Sequence, residues 1–146
     1  MKTSYGDIDV LLFDQTAPRT VANFLSYVRK GAYNNSIFHR LVTDFIVQAG
    51  GFQRINGAIT TTAQDPAVVN EFGASNIRGT IAMAKTDGNP NSATNQWFFN
   101  LNDSNASNLN FQNGGFTVFG RIANTASFDV LSRLVATPIS NQSPVN

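Results

Sequence analysis

No cysteine occurs in the 146 residues, which removes disulfides, thiolate catalysis and cysteine-based metal sites together. Histidine is nearly as scarce, His39 being the sole example. A zinc-type centre needs three or four protein ligands, so no metal site built on histidine is expected and no cofactor is implied. A Ser-His-Asp triad could draw only on His39, and no G-x-S-x-G elbow accompanies it. Phosphate-binding and dinucleotide-binding fingerprints are missing too. Charge is thin: Asp, Glu, Lys and Arg make up 13% of residues, with a net charge of +1. Nothing in that balance steers toward nucleic acid or an anionic membrane. No apolar run is long enough to span a bilayer. Met1-Lys2 leads directly into a strand-like segment, so no signal peptide is expected.

What is present is a globular composition, 42% apolar, in a chain long enough for one domain with a real core, spanning residues 1–146. The polar surface rests on Asn, Ser and Thr. Sequons at Asn34, Asn102, Asn105 and Asn141 are what chance gives in so Asn-rich a chain, and glycosylation is not expected. Lack of cysteine with abundant asparagine leans toward a periplasmic rather than a cytoplasmic setting.

No internal repeat or linker divides the chain. The stretch "DIDVLLF" (residues 7–13) alternates at Ile8, Val10 and Leu12 and reads as a strand entering a core. The stretch "TAPRTVANFLSYVRKG" (residues 16–31) reads as a helix. Thr16 is its expected cap, Pro18 suits its first turn, and Val21, Phe24, Leu25 and Val28 form one apolar stripe, with Gly31 closing it. Strands are expected over 79–85, 95–101 and 116–122. A second helix over 127–135 has Ser127 as expected cap and Phe128, Leu131, Leu134 and Val135 inward. Several short strands with two helices point to a mostly β fold, a barrel or sandwich whose ends the helices plug.

One stretch breaks the apolar pattern. "SIFHRLVTDFIVQAGG" (residues 36–51) carries Arg40 and Gln48 among Phe38, Phe45 and Ile46, and polar groups are costly in a core without partners. Ile46 and Gln48 share a strand face, as do Gln96 and Phe98 in "NQWFFN". Two strands could therefore each present a glutamine beside an apolar residue, with Arg40 at the rim, a site suited to a neutral peptide. Arg40 paired with Asp44 as ordinary structure fits the pattern equally well.

Taken in order, "GDIDVLLF", "APRTVANF", "FHR", "FIVQAGGF", "RGTIAMA", "NQWFF" and "FTVFG" resemble the cyclophilin family of peptidyl-prolyl cis-trans isomerases, its bacterial branch most of all. The resemblance implies a closed eight-stranded antiparallel β-barrel with two capping α-helices. It implies cofactor-independent rotation about X-Pro bonds in polypeptides, assisting their folding. By motif position Arg40, Phe45 and Gln48 are the implied catalytic group, and Ile46, Ala84, Lys85, Gln96, Phe98, Leu109 and Phe116 the implied substrate-binding group. The alternative from another class is a proline-peptide binding module or chaperone with little turnover.

Four positions depart from the family pattern. Ala49 replaces a usual glycine, Trp97 a usual phenylalanine, and Phe116 stands where many eukaryotic members have histidine. Asn108 stands where some members carry a tryptophan that strengthens cyclosporin binding, so weak cyclosporin binding is expected. The chain also begins near the first turn and stops soon after the second helix. The terminal strands of the family barrel are therefore expected to be shortened, in a trimmed domain or a natural variant. A monomer is expected, with a dimer through the open barrel edges as a second reading.

Overall fold

The computed structural model describes residues 1–137; the segment "SNQSPVN", at which the chain is expected to stop short of a family strand, lies outside them. Among the described residues, ten short strands and three α-helices make up a mostly β architecture. Strand β1 (Lys2–Thr3) folds back on β2 (Gly6–Asp7). Met1 and Ile8 extend that pairing, the Ile8 amide donating to the Met1 carbonyl at 2.8 Å. The main sheet is wholly antiparallel, in the order β3 (Val10–Leu12), β10 (Val118–Ile122), β8 (Thr80–Met83), β9 (Trp97–Asn100), β5 (Ile46–Ala49), β4 (Arg40–Val42). A separate hairpin joins β6 (Phe52–Ile55) to β7 (Ala58–Thr61). Asn56 and Gly57 at its tip both have positive φ, 50° and 82°, the turn that an Asn-Gly pair favours. That signal stood in the sequence and the strand reading above passed over it.

The sheet is packed on both faces. One face carries Val47, Ala49, Ile81, Met83, Trp97 and Phe99, which form the larger core with Val21 and Phe24 of helix α1 (Pro18–Arg29) and Val130 and Leu131 of helix α3 (Thr125–Val135). Trp97 lies in this core, edge-on to Phe24, Tyr33, Phe38 and Phe99. The opposite face carries a smaller buried cluster of Ile46, Ala82, Phe98, Leu109 and Val118. Alternation at period two in each strand sorts the residues between these faces.

Three sequence expectations are corrected here. Helix α1 starts after Ala17, and no side chain of its own caps it. The Glu71 carboxylate does so from a distant loop, accepting from the Arg19 amide at 3.1 Å and the Thr20 amide at 2.8 Å. A negative group at a helix N-terminus satisfies free N–H groups and meets the positive end of the helix dipole. Val28 is 47% exposed, at the outer margin of the stripe. Helix α3 begins at Thr125 rather than Ser127, with the Asn124 side chain accepting from the Ser127 amide at 2.9 Å. Ser127 is buried, and its hydroxyl accepts from the Asp9 amide at 2.9 Å, tying α3 to the first strands. A third, short helix α2 (Ala106–Leu109) follows a single 3-10 turn and had no counterpart in the sequence reading.

Candidate active site

Register builds the site. Arg40 of β4 faces Gln48 of β5, Gln48 faces Phe98 of β9, Phe98 faces Ala82 of β8, and Ala82 faces Val118 of β10. Directly paired residues in antiparallel strands point to one side, so this row runs from an exposed cation through an amide into a buried apolar floor. A second row lies beside it, with Val42 opposite Ile46 and Ile46 opposite Asn100.

The polar end of the first row is a chain of side chains. An Arg40 guanidinium nitrogen lies 3.4 Å from Gln48 Oε1. Gln48 Nε2 donates to Gln96 Oε1 at 2.7 Å. Among the described residues Arg40 pairs with no carboxylate, Asp44 included. The guanidinium is therefore oriented by a neutral amide and keeps its remaining N–H donors for another partner. Gln96 can lie so close to β5 because Gly51 follows it: a Cβ there would fall 2.8 Å from the Gln96 amide carbon. Ala49, in β5, is not among the positive-φ residues, so alanine costs nothing there.

The apolar end gathers residues from four segments. Ile46 and Phe98 come from the sheet, Leu109 from the end of α2, Phe45 from the turn before β5, and Phe116 from the loop before β10, with Ala84 at the margin. Phe116 and Phe98 meet edge-to-face, ring centres 5.9 Å apart. The Ala84 amide donates to the Gln96 carbonyl at 3.0 Å, and the Phe116 amide to the Leu109 carbonyl at 2.9 Å. Lys85 points the same way but is engaged: its ammonium donates to the carbonyls of Asn113 and Gly115, each at 2.7 Å, and sits 4.7 Å from the centre of the Phe116 ring. Burial pushes its pKa below the usual lysine value. Every residue of the implied catalytic and substrate-binding groups thus lies in one neighbourhood, with the Lys85 ammonium over the Phe116 ring.

Two groups there were missed by sequence reasoning. Gly51 is one, to which the sequence reading gave no role. The other is the set Asn76, Asn100 and Asn105, which are 0%, 0% and 3% exposed. In a chain rich in surface asparagine their burial left no local mark. Among the described residues no group of three or more His, Asp or Glu side chains is placed to hold a metal ion. Two clefts lie on the other side of the sheet; one, of about 600 Å³, is lined by Tyr33, His39, Arg40, Leu41 and Val47 among others.

Comparison with known proteins agrees with this arrangement. The model of the family "cyclophilin type peptidyl-prolyl cis-trans isomerase/CLD" matches residues 1–146. A peptidyl-prolyl cis-trans isomerase of Acinetobacter baylyi is 39% identical over 142 residues, 96% of this chain and 72% of the relative. Peptidyl-prolyl cis-trans isomerase B of Escherichia coli is 42% identical over 137 residues, 90% of this chain and 80% of the relative. A cyclophilin-type isomerase of Cryptosporidium parvum, crystallised in the presence of the dipeptide Ala-Pro, superposes with a TM-score of 0.76 at 27% identity, covering 99% of this chain and 87% of its own. The chain belongs to the cyclophilin-type peptidyl-prolyl cis-trans isomerases.

Proposed function

We propose that this isomerase turns X-Pro bonds on the face where the Arg40–Gln48–Phe98 row crosses the sheet, and that its substrates are proline-containing segments of unfolded or flexible polypeptides. The barrier to be lowered is about 18–20 kcal/mol, because amide resonance must be broken. In the twisted state the imide nitrogen becomes pyramidal and regains a lone pair. A guanidinium N–H aimed at that nitrogen interacts more strongly with the twisted state than with either planar state, the condition for catalysis. Arg40 carries this role, and Gln48 orients it. Phe45, Ile46, Phe98, Leu109 and Phe116 grip the proline ring, while the carbonyl before proline swings past Gln48 and Gln96. Ala84 lines the path of the flanking peptide, and Lys85 holds Phe116 in place. No proton changes hands, so no nucleophile, metal or cofactor has a step to perform.

The observation that carries this reading is an arginine held by an amide, with no carboxylate partner among the described residues, beside a buried apolar cluster on the same sheet face. The test is a protease-coupled isomerisation assay on an X-Pro peptide. By analogy with deletion of an oxyanion-hole donor, Arg40→Ala is expected to lower kcat/KM by about 10²–10³-fold. Arg40→Ala at the wild-type rate would remove the arginine from the mechanism. Wild-type protein no faster than buffer would leave a peptide-binding role alone.

A further inference from the structure

Beside the apolar floor, on the same face of the sheet, runs a line of buried side-chain amides. Asn105 Nδ2 donates to the Phe45 carbonyl at 2.7 Å and to Asn100 Oδ1 at 2.7 Å. Asn100 Nδ2 donates to Asn76 Oδ1 at 3.1 Å and to the Thr80 hydroxyl at 2.9 Å. Asn76 Nδ2 donates to the Phe116 carbonyl at 3.0 Å and to Asn110 Oδ1 at 3.2 Å, and that oxygen also accepts from the Asn76 amide at 2.9 Å. Each of the three amides spends both N–H donors; Asn105 donates outward to Phe45 and inward to Asn100, and from Asn105 onward the bonds run in one sense to Phe116. Aligned hydrogen bonds in a low-dielectric interior strengthen one another, and a satisfied buried network holds a single arrangement.

The two ends of the line land on Phe45 and Phe116, wall residues that are far apart in sequence and outside any strand. Its side branch at Asn110 holds the end of α2, where Leu109 sits and accepts from the Phe116 amide. Asn100, at its centre, shares the sheet face of Phe98 and is paired with Ile46. We propose that Asn76, Asn100 and Asn105 form a positioning relay that fixes the spacing of Phe45, Leu109 and Phe116, and so sets how the ring slot fits proline. This rests on the assignment of those three residues to the slot.

The relay is tested by disturbing one end and reading the other. Asn105→Ala removes the bonds to Phe45 and Asn100. In amide-resolved NMR it is expected to shift the Ile46 amide, whose peptide unit includes the Phe45 carbonyl, and also the Thr117 amide at the far end. Asn110→Ala, at the more exposed end, is expected to shift Thr117 and, across the relay, Ile46. Both variants should lower kcat/KM by about tenfold or more at temperatures where they remain folded, the scale on which small misplacements act. The α3 core variant Val130→Ala provides the control, lowering thermal stability with kcat/KM unchanged. Shifts confined to the near end in both variants, or kcat/KM within about twofold of wild type, would overturn the relay. A Phe116→Ala variant with wild-type kcat/KM would instead overturn the slot assignment, independently of the relay.

Discussion

Arg40 and His39 are neighbours in sequence, yet the structure gives them opposite environments. Arg40 is exposed, oriented by Gln48. Its place was half legible in the sequence: the polar interruption in an apolar run was visible, while its freedom from Asp44 depended on the β4–β5 hairpin turning the two apart. His39 is partly buried against Phe52, ring centres 4.8 Å apart. Burial pulls its pKa below 6.5, outweighing the upward pull of the nearby Ile37 backbone and Gln96 side chain, and nearby Arg40 adds to the lowering. The sign of the linkage follows. Below about pH 6.5 the unfolded chain takes a proton that the folded chain resists, so this contribution to stability is whole above that pH and declines as pH falls below it. Urea unfolding from pH 7.5 down to 5 should show a falling midpoint, and His39→Phe should reduce the slope. An unchanged slope in the variant would show that other groups govern the acid response.

At the scale of elements, helix α1 shows what local sequence reveals and what it cannot. Its apolar periodicity, the proline in its first turn and the closing glycine are local features, and they placed the helix within two residues of its observed ends. Its cap is not local. Thr16 looked suitable, but Glu71, 51 residues beyond Thr20, reaches that residue's amide and hydroxyl at 2.8 Å each. The Glu71 amide in turn donates to the Thr117 hydroxyl at 2.9 Å, so one residue pins the helix, its own loop and the start of β10. Only the tertiary fold brings these together, and the same holds for the buried asparagines. Removing a helix cap costs about 0.5–2 kcal/mol, and loss of a charge near the dipole adds some tenths. Glu71→Ala should therefore lower unfolding free energy by about 1–2 kcal/mol in urea titration, and Glu71→Gln by less, because it keeps the acceptor and loses the charge. Equal losses would assign the whole effect to the hydrogen bonds.

For the whole molecule, the sheet divides labour between its faces. The larger core, with α1, α3 and Trp97, occupies one face; the smaller apolar cluster, proposed as the slot beside Arg40, occupies the other. Alternation in "NQWFFN" placed Trp97 opposite Phe98, in a core role, and the structure has it there. Local pattern could not foresee the asparagine line, which depends on three segments meeting beside Phe98. The separation also bears on how activity responds to solution conditions. Bond rotation transfers no proton, and the groups assigned to it are a guanidinium, amides and hydrocarbon, with no general acid or base among them. His39 titrates only below its ordinary range, and Lys85, though lowered by burial, starts from 10.5. Measured on folded protein, kcat/KM should stay flat from about pH 6.5 to 8 and be unaffected by a chelator. A bell-shaped profile in that window would place a general acid or base in the rate-limiting step, and chelator inhibition would require a bound ion. Either result would replace electrostatic stabilisation of a twisted imide with a different chemistry.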